Sequence, residues 1–286
     1  MQGSLSFCRR YKSIHIDKAP RKIQKQVNLD LISLYKWLLA NKISLNCSKT
    51  ELIFFHTPSG PAPDLRIKIN GLMIHPSSYI KYLGVYLDAT LSGNHHCDIL
   101  VKTLKIANGM LSKVRHYVPR DELVSIYYAI FSSHLIYGCQ IWGQNSNIFN
   151  DKIFKLQNRA MRIISFADFH ANADPFYKMH KVLKLSDFIT LQNCILVHDF
   201  LNNKLPHCFK TYFKPVSEIH DINTKASELG CLHVPYFATT KYGLNSISRK
   251  CIDSWNFFTK KMDLKLLELS RSTLKNKISS YYIESY

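Results

Sequence analysis

Asn70-Gly71 sits between two short apolar stretches, Leu65, Ile67 and Ile69 alternating with Arg66 and Lys68 on one side, Leu72, Met73 and Ile74 on the other. A two-residue turn joining antiparallel strands needs positive φ at both central positions, and Asn-Gly accepts this at low cost. The pair therefore predicts a β-hairpin, and the surrounding sequence extends the pattern. Residues 57–63 place three prolines and a glycine in seven positions, which leaves only loop. Ahead of that loop, Ile43, Leu45 and Cys47 alternate with polar residues and Leu52–Phe55 is an apolar run, so two short strands with a turn near Ser48 are expected. Residues 79–87, rich in Tyr, Ile and Val, predict a further strand. A helix precedes all of these from Arg21, with Ile23, Val27, Leu31, Leu34 and Leu38 on one face, thickened by Trp37, and Asn41 as a polar stop.

After Leu91 the period changes from two to between three and four. Residues 93–117 predict a helix with Ile99, Leu100, Leu104, Ala107, Leu111 and Val114 on one face, broken at Pro119. Asp121 and Glu122 open a second helix through Tyr137, their charges suiting a helix N-terminus. Further helices are expected at 150–166, 174–183, 186–203 and from Ser246 to Phe258, with 205–250 more irregular. The expected fold class is α+β: a small antiparallel sheet at the N-terminal end, then a mostly helical remainder. The segments read as an irregular basic stretch 1–19, a mixed region 20–91, a helical region 92–203 and a partly irregular region 204–286.

Charge narrows the range of partners. Thirty-eight Lys and Arg face twenty Asp and Glu, a net +18, which calls for an anionic partner, nucleic acid first. The excess is organised. Lys102, Lys105 and Lys113 fall away from the apolar face of their helix, Arg115 follows, and Lys152, Lys155, Arg159 and Arg162 repeat at spacings of three and four. Such rows suit a phosphate backbone, with affinity that falls steeply in salt.

Other chemistries find no support. Eight cysteines are scattered with no Cys-x-x-Cys pair, against a zinc ribbon or a dithiol site. His95, His96 and Cys97 are adjacent, so on a helix they point in different directions, and no metal site is expected. No phosphate-binding glycine loop and no Gly-x-Ser-x-Gly is present. No apolar run suggests a signal peptide or a membrane span, so the expectation is a reduced intracellular chain, nuclear or cytoplasmic, with its cysteines mostly in the core.

Several ordered motifs carry a resemblance. Residues 35–55, YKWLLANKISLNCSKTELIFF, resemble the end of the palm in reverse transcriptases of non-LTR (LINE-type, jockey-like) retrotransposons, including the segment called motif D. Residues 79–88, YIKYLGVYLD, resemble motif E, the primer grip. Residues 127–143 and 152–164 resemble the thumb and the region after it, and 242–256, YGLNSISRKCIDSWN, a segment near the end of such reading frames. The resemblance covers roughly residues 20–260 and makes 20–91 a partial palm and 92–203 a thumb. It implies that Lys49 stands where a lysine is proposed to protonate departing pyrophosphate. It also implies that Tyr82, Leu83 and Gly84 form the turn supporting a primer's 3′ end, and that template and primer, RNA or DNA, are the partners.

The same resemblance marks a gap. The family's polymerase holds two Mg²⁺ on carboxylates that include paired aspartates on a hairpin. The sequence contains no Asp-Asp, and the stretch where the hairpin would fall, FCRRYKSIHIDK, has Asp17 as its one acid. Phe166-Ala167-Asp168-Phe169 has a similar spelling, but it has one aspartate and follows a helix. The expectation is a truncated RNA-directed DNA polymerase, inactive alone and without a cofactor of its own, whose missing palm and fingers another chain could supply. The alternatives are a non-enzymatic basic RNA- or DNA-binding module and a nonfunctional mobile-element remnant.

Overall fold

The computed structural model describes residues 19–46, 49–60, 63–144, 147–219, 222, 224–236, 239, 243–263 and 265–286. The expected turn near Ser48 and residues 1–18 of the basic N-terminal stretch lie outside them. The chain divides into two compact units, Met1–Ser92 and Gly93–Tyr286.

The first unit opens with α1, Pro20–Ala40, whose Pro20 sets a helical φ at the first turn, where no N–H is needed. None of its residues is buried. It meets the following strand through polar groups. Gln24 Oε1 accepts from the Arg66 N–H (3.2 Å), Asn28 Oδ1 accepts from Lys68 N–H (2.9 Å), and Asn28 Nδ2 donates to Arg66 O (3.2 Å). Side chains one helical turn apart thus satisfy a strand edge that would otherwise be open to pairing.

The predicted hairpin is present. Strand β1 (Ile67–Ile69) pairs antiparallel with β2 (Leu72–Ile74), and Ile69 faces Leu72 across the turn. Asn70 and Gly71 adopt φ of 49° and 79°. Ile67 and Ile69 are buried while Lys68 is exposed, the alternation the sequence shows. The single strand expected over 79–87 is instead a second hairpin, β3 (Tyr79–Tyr82) against β4 (Val85–Asp88), turning at Leu83-Gly84 with φ of 45° and 88°. Leucine rarely takes a left-handed conformation, so Leu83 conceals the turn in an apolar run. The two hairpins form separate two-stranded sheets. The strands expected over 43–55 are absent among the described residues; Leu52 makes one isolated bridge, to Pro76.

The second unit is helical: α2 (Asn94–Val114), α3 (Arg120–Tyr127), α4 (Ser133–Ile136), α5 (Cys139–Trp142), α6 (Asn147–Ile164), α7 (Asp174–Met179), α8 (Leu185–Leu201), α9 (Lys225–Glu228), α10 (Ile247–Met262) and α11 (Arg271–Ser285). The helix expected through Tyr137 runs on from α3 to α4, but it widens to π-helical hydrogen bonding over Tyr128–Ser132. Helix α11 was not anticipated from the sequence. Only Leu274 and Ile278 are buried on it, too few for an apolar stripe, and its start is a hydroxyl cap, Ser270 Oγ accepting from Thr273 N–H (3.1 Å).

Two cores fill this unit. One gathers Leu104, Leu111, Tyr127, Phe131, Trp142, Met161 and Tyr177; the other gathers Phe213, Trp255, Phe258, Leu266, Leu274 and Ile278. Helix α8 lines both, giving Leu185 and Ile189 to the first and Leu191, Cys194, Ile195 and Val197 to the second. Several polar groups carried inward find hydrogen-bond partners there. Trp142 Nε1 donates to Tyr137 O (2.9 Å) and Trp255 Nε1 to Gly230 O (3.0 Å). Gln157, almost fully buried, donates to Tyr127 Oη (3.2 Å) and Leu183 O (3.0 Å) and accepts from Leu185 N–H (3.0 Å). No described helix is long and apolar enough to cross a membrane.

Candidate nucleic-acid interface

Helix α2 turns Cys97, Leu100, Leu104, Ala107, Asn108 and Leu111 inward. Helix α6 packs against that side, and Asn108 Nδ2 donates to Leu156 O (2.9 Å), which fixes the level at which the two helices meet. With 3.6 residues per turn, inward packing of this set leaves Lys102, Lys105 and Lys113 facing solvent. Ile106 and Met110 are exposed between them, and a Cβ added at Gly109 would meet nothing, so the outer face is open down to the backbone there. On α6, burial of Ile153, Leu156, Gln157, Ala160 and Met161 leaves Lys152, Lys155 and Arg159 exposed. Each helix therefore carries its apolar side against the core and a row of three cations outward.

The two remaining cations of these rows are placed differently. Arg162 is half-buried, and its Nε donates to Ala171 O (2.6 Å), tying the segment after α6 to the helix. Arg115 lies just past α2, its Nε donating to His116 Nε2 (3.2 Å) and its guanidinium carbon 5.4 Å from the centre of the Phe166 ring. Arg120, the last cation of the acid-free basic stretch 99–120, lies at the same distance from that ring. Pro119 hints at the chain reversal that brings Arg115 near Arg120, but no spacing rule brings Phe166 to both.

The motif-derived residues of the first unit are exposed. Lys49 is at the surface, its N–H donating to Asn46 O (3.2 Å). Tyr82, Leu83 and Gly84 occupy the β3–β4 turn, Tyr82 opposite Val85 and Leu83 pointing an exposed side chain from the apex. Behind the hairpin, Asp88 Oδ1 accepts from Thr90 N–H (3.1 Å), Thr90 Oγ1 (2.9 Å) and Ser92 N–H (2.8 Å), which fixes the exit of β4.

Among the described residues, no three His, Cys, Asp or Glu side chains converge on a point that could hold a metal ion. Cys97 is wholly buried in the first core, and His96 is buried against the Trp142 ring, 5.8 Å between centres. Burial, with His95 adding repulsion, holds the His96 pKa below the ordinary histidine value. Among the described residues, the donors present therefore do not fit a pair of Mg²⁺ ions. Residues 166–169 follow the end of α6 as loop, with Asp168 exposed.

Each of the two helices thus presents three exposed cations, with Ile106, Met110 and the open backbone at Gly109 lying among those of α2. The chain is similar to RNA-directed DNA polymerases of non-LTR mobile elements. It is 28% identical over 168 residues, 57% of its length, to the RNA-directed DNA polymerase from mobile element jockey of Drosophila melanogaster, and 27% identical over 181 residues, 62% of its length, to that of Drosophila funebris. A probable RNA-directed DNA polymerase from transposon X-element of Drosophila melanogaster is 27% identical over 154 residues, 53% of the chain. The matches take in 18%, 19% and 16% of those relatives, so the chain spans less than a fifth of their length. No family profile and no solved structure matches the chain.

Proposed function

We propose that these 286 residues are the part of a non-LTR reverse transcriptase that grips template and primer, with the β3–β4 turn as primer grip and α2 and α6 as the thumb surface. One observation carries the reading: Lys102, Lys105 and Lys113 on α2 and Lys152, Lys155 and Arg159 on α6 are exposed opposite the buried faces by which the helices are held. The similarity to RNA-directed DNA polymerases supports a nucleic-acid partner, which this reading takes to be a template–primer duplex.

The sequence itself contains no adjacent aspartate pair, so on this reading it does not polymerise by itself. Carboxylates for Mg²⁺-assisted phosphoryl transfer come from palm and fingers outside these residues, on this chain or another. Lys49 then has a role only when such a site is brought to it. The apolar residues of α1 that stand about half exposed, among them Leu29, Ile32, Trp37 and Leu39, are the side that a fuller palm would cover.

The test combines two measurements on the 286-residue chain. Fluorescence anisotropy with a labelled RNA–DNA hybrid is expected to show binding whose affinity falls steeply as KCl rises. Primer extension on an RNA template with Mg²⁺ and dNTPs is expected to give no product. Absence of hybrid binding at low salt refutes the grip, and robust extension refutes the incomplete site.

A further inference from the structure

The loop that closes α6 holds a second feature, which the α2 and α6 rows do not use. At the helix end, Phe166 N–H donates to Ile163 O (3.3 Å) and Ala167 N–H to Arg162 O (3.0 Å), with Phe166 at φ 56°. This is the left-handed closing position that glycine usually takes. An aromatic ring is held there instead. The guanidinium carbons of Arg115 and Arg120 lie 5.4 Å from the ring centre, and His116 meets its edge at 6.2 Å. The bond from Arg162 to Ala171 O ties the loop down, and Ser165 Oγ lies 2.8 Å from His180 Nε2.

Among the described residues, neither Arg115 nor Arg120 has a carboxylate within 4.0 Å. The nearest acids along the chain are Asp121 and Glu122, at the start of α3, and Asp168 in the loop, all exposed. Two planar, permanently charged forks at one ring, without a counter-charge, form a receptor for phosphate oxygens. Beside them in sequence stand the most exposed rings of this part of the chain, Tyr117 at 86% and Phe169 at 66%, with Phe166 itself at 42%. Exposed rings next to arginines that no described carboxylate neutralises match a ligand that alternates anionic groups with flat π-faces. Single-stranded nucleic acid offers both; a duplex keeps its bases stacked away.

We propose that Arg115 and Arg120, oriented by Phe166, hold a phosphate of single-stranded nucleic acid while Tyr117 and Phe169 stack its unpaired bases. The site rests on the reading of the chain as a nucleic-acid binder but is separate from the helix rows that track a duplex. It would take the unpaired strand, RNA or DNA, that extends beyond the paired region.

The test uses the 286-residue chain and labelled oligomers of about 15 nucleotides, close to one upper-range binding site: oligouridylate, oligothymidylate, an abasic strand of the same charge, and an RNA–DNA hybrid. Tyr117→Ala with Phe169→Ala removes two exposed rings, so the thermal transition is expected to stay where it is. This variant should weaken binding to oligouridylate or oligothymidylate by about tenfold or more, on the usual worth of base–aromatic stacking. Its affinity for the abasic strand and the hybrid should be unchanged. Arg115→Gln with Arg120→Gln should weaken both base-bearing and abasic strands. Which of the two base-bearing probes responds more strongly tells RNA from DNA. Unchanged single-strand affinity in the aromatic variant overturns the site, as does equal competition by polyglutamate of matched charge. A wild-type chain that binds the hybrid but no single strand overturns the site alone; one that binds no probe overturns the proposed function.

Discussion

Replacing Lys102, Lys105 and Lys113 together by glutamine tests the proposed duplex surface at its centre. All three side chains are exposed on α2, and none makes an ion pair with a described residue. Glutamine has nearly the helix propensity of lysine, and exposed substitutions usually change stability by no more than about 0.5 kcal/mol each, so the fold should persist. Each phosphate neutralised adds about 0.9 to the slope of log affinity against log salt. Six exposed cations, three on each helix, give an expected slope near −5 and about a thousandfold loss of affinity between 50 and 200 mM salt. Removing three should bring the slope to about −2.7 and the loss to about fortyfold over the same range. The assay is anisotropy of a labelled RNA–DNA hybrid across a KCl series, with circular-dichroism melts on both proteins. A triple variant whose line runs parallel to the wild type, at an unchanged melting point, would refute phosphate contact by α2.

Three further outcomes follow from the core and its titrating groups. Gln157→Ala should cost about 3 kcal/mol, because it leaves the Leu183 carbonyl and the Leu185 N–H unsatisfied and opens a cavity, and calorimetry should show a Tm lower by roughly 5–10 °C. Burial pushes the Cys139 and Cys251 thiols up to about 12, so at pH 8 they stay protonated; iodoacetamide with mass-spectrometric mapping should label exposed Cys208 first and reach those two only in denaturant. Burial, aided by His95 and by Arg120 respectively, lowers the pKa of His96 and His180. The unfolded chain therefore binds more protons as pH falls below about 6.5, and stability present at pH 7 is lost toward the lowered values. Tm should drop between pH 7 and pH 5, and His96→Gln should flatten that drop; an equal drop in the variant would discount His96.

The sequence was most legible where chemistry is local. Asn70-Gly71 specifies its turn by itself, and the alternation around it placed Ile67 and Ile69 inward. The rows on α2 and α6 were readable because a helix exposes whatever its buried face leaves over. Reading failed where tertiary structure overrides a residue's own preference. Leu83 turns a hairpin against its backbone preference. Leu52 reaches a single bridge rather than a strand because Pro76 faces it. Helix α11 depends on two buried side chains and a serine cap. At the candidate surface, the spacing of Arg162 matched its row, yet its guanidinium is used to hold a carbonyl. The convergence of Arg115, Arg120 and Phe166 joins residues about fifty positions apart, and no periodicity carries that information.

Helix α8 has a consequence for how the second unit comes apart. One wall serving two cores makes their melting a joint event, since peeling α10 and α11 from Leu191, Cys194 and Val197 also loosens the support of Leu185 and Ile189 for the first core. Amide hydrogen exchange should accordingly report one opening free energy for the middle of α2, α8 and α10. The proposed grip on a duplex would then share its thermal ceiling with α8 and α10, and a destabilising change at Trp255 would shorten the lifetime of a complex held by α2 and α6.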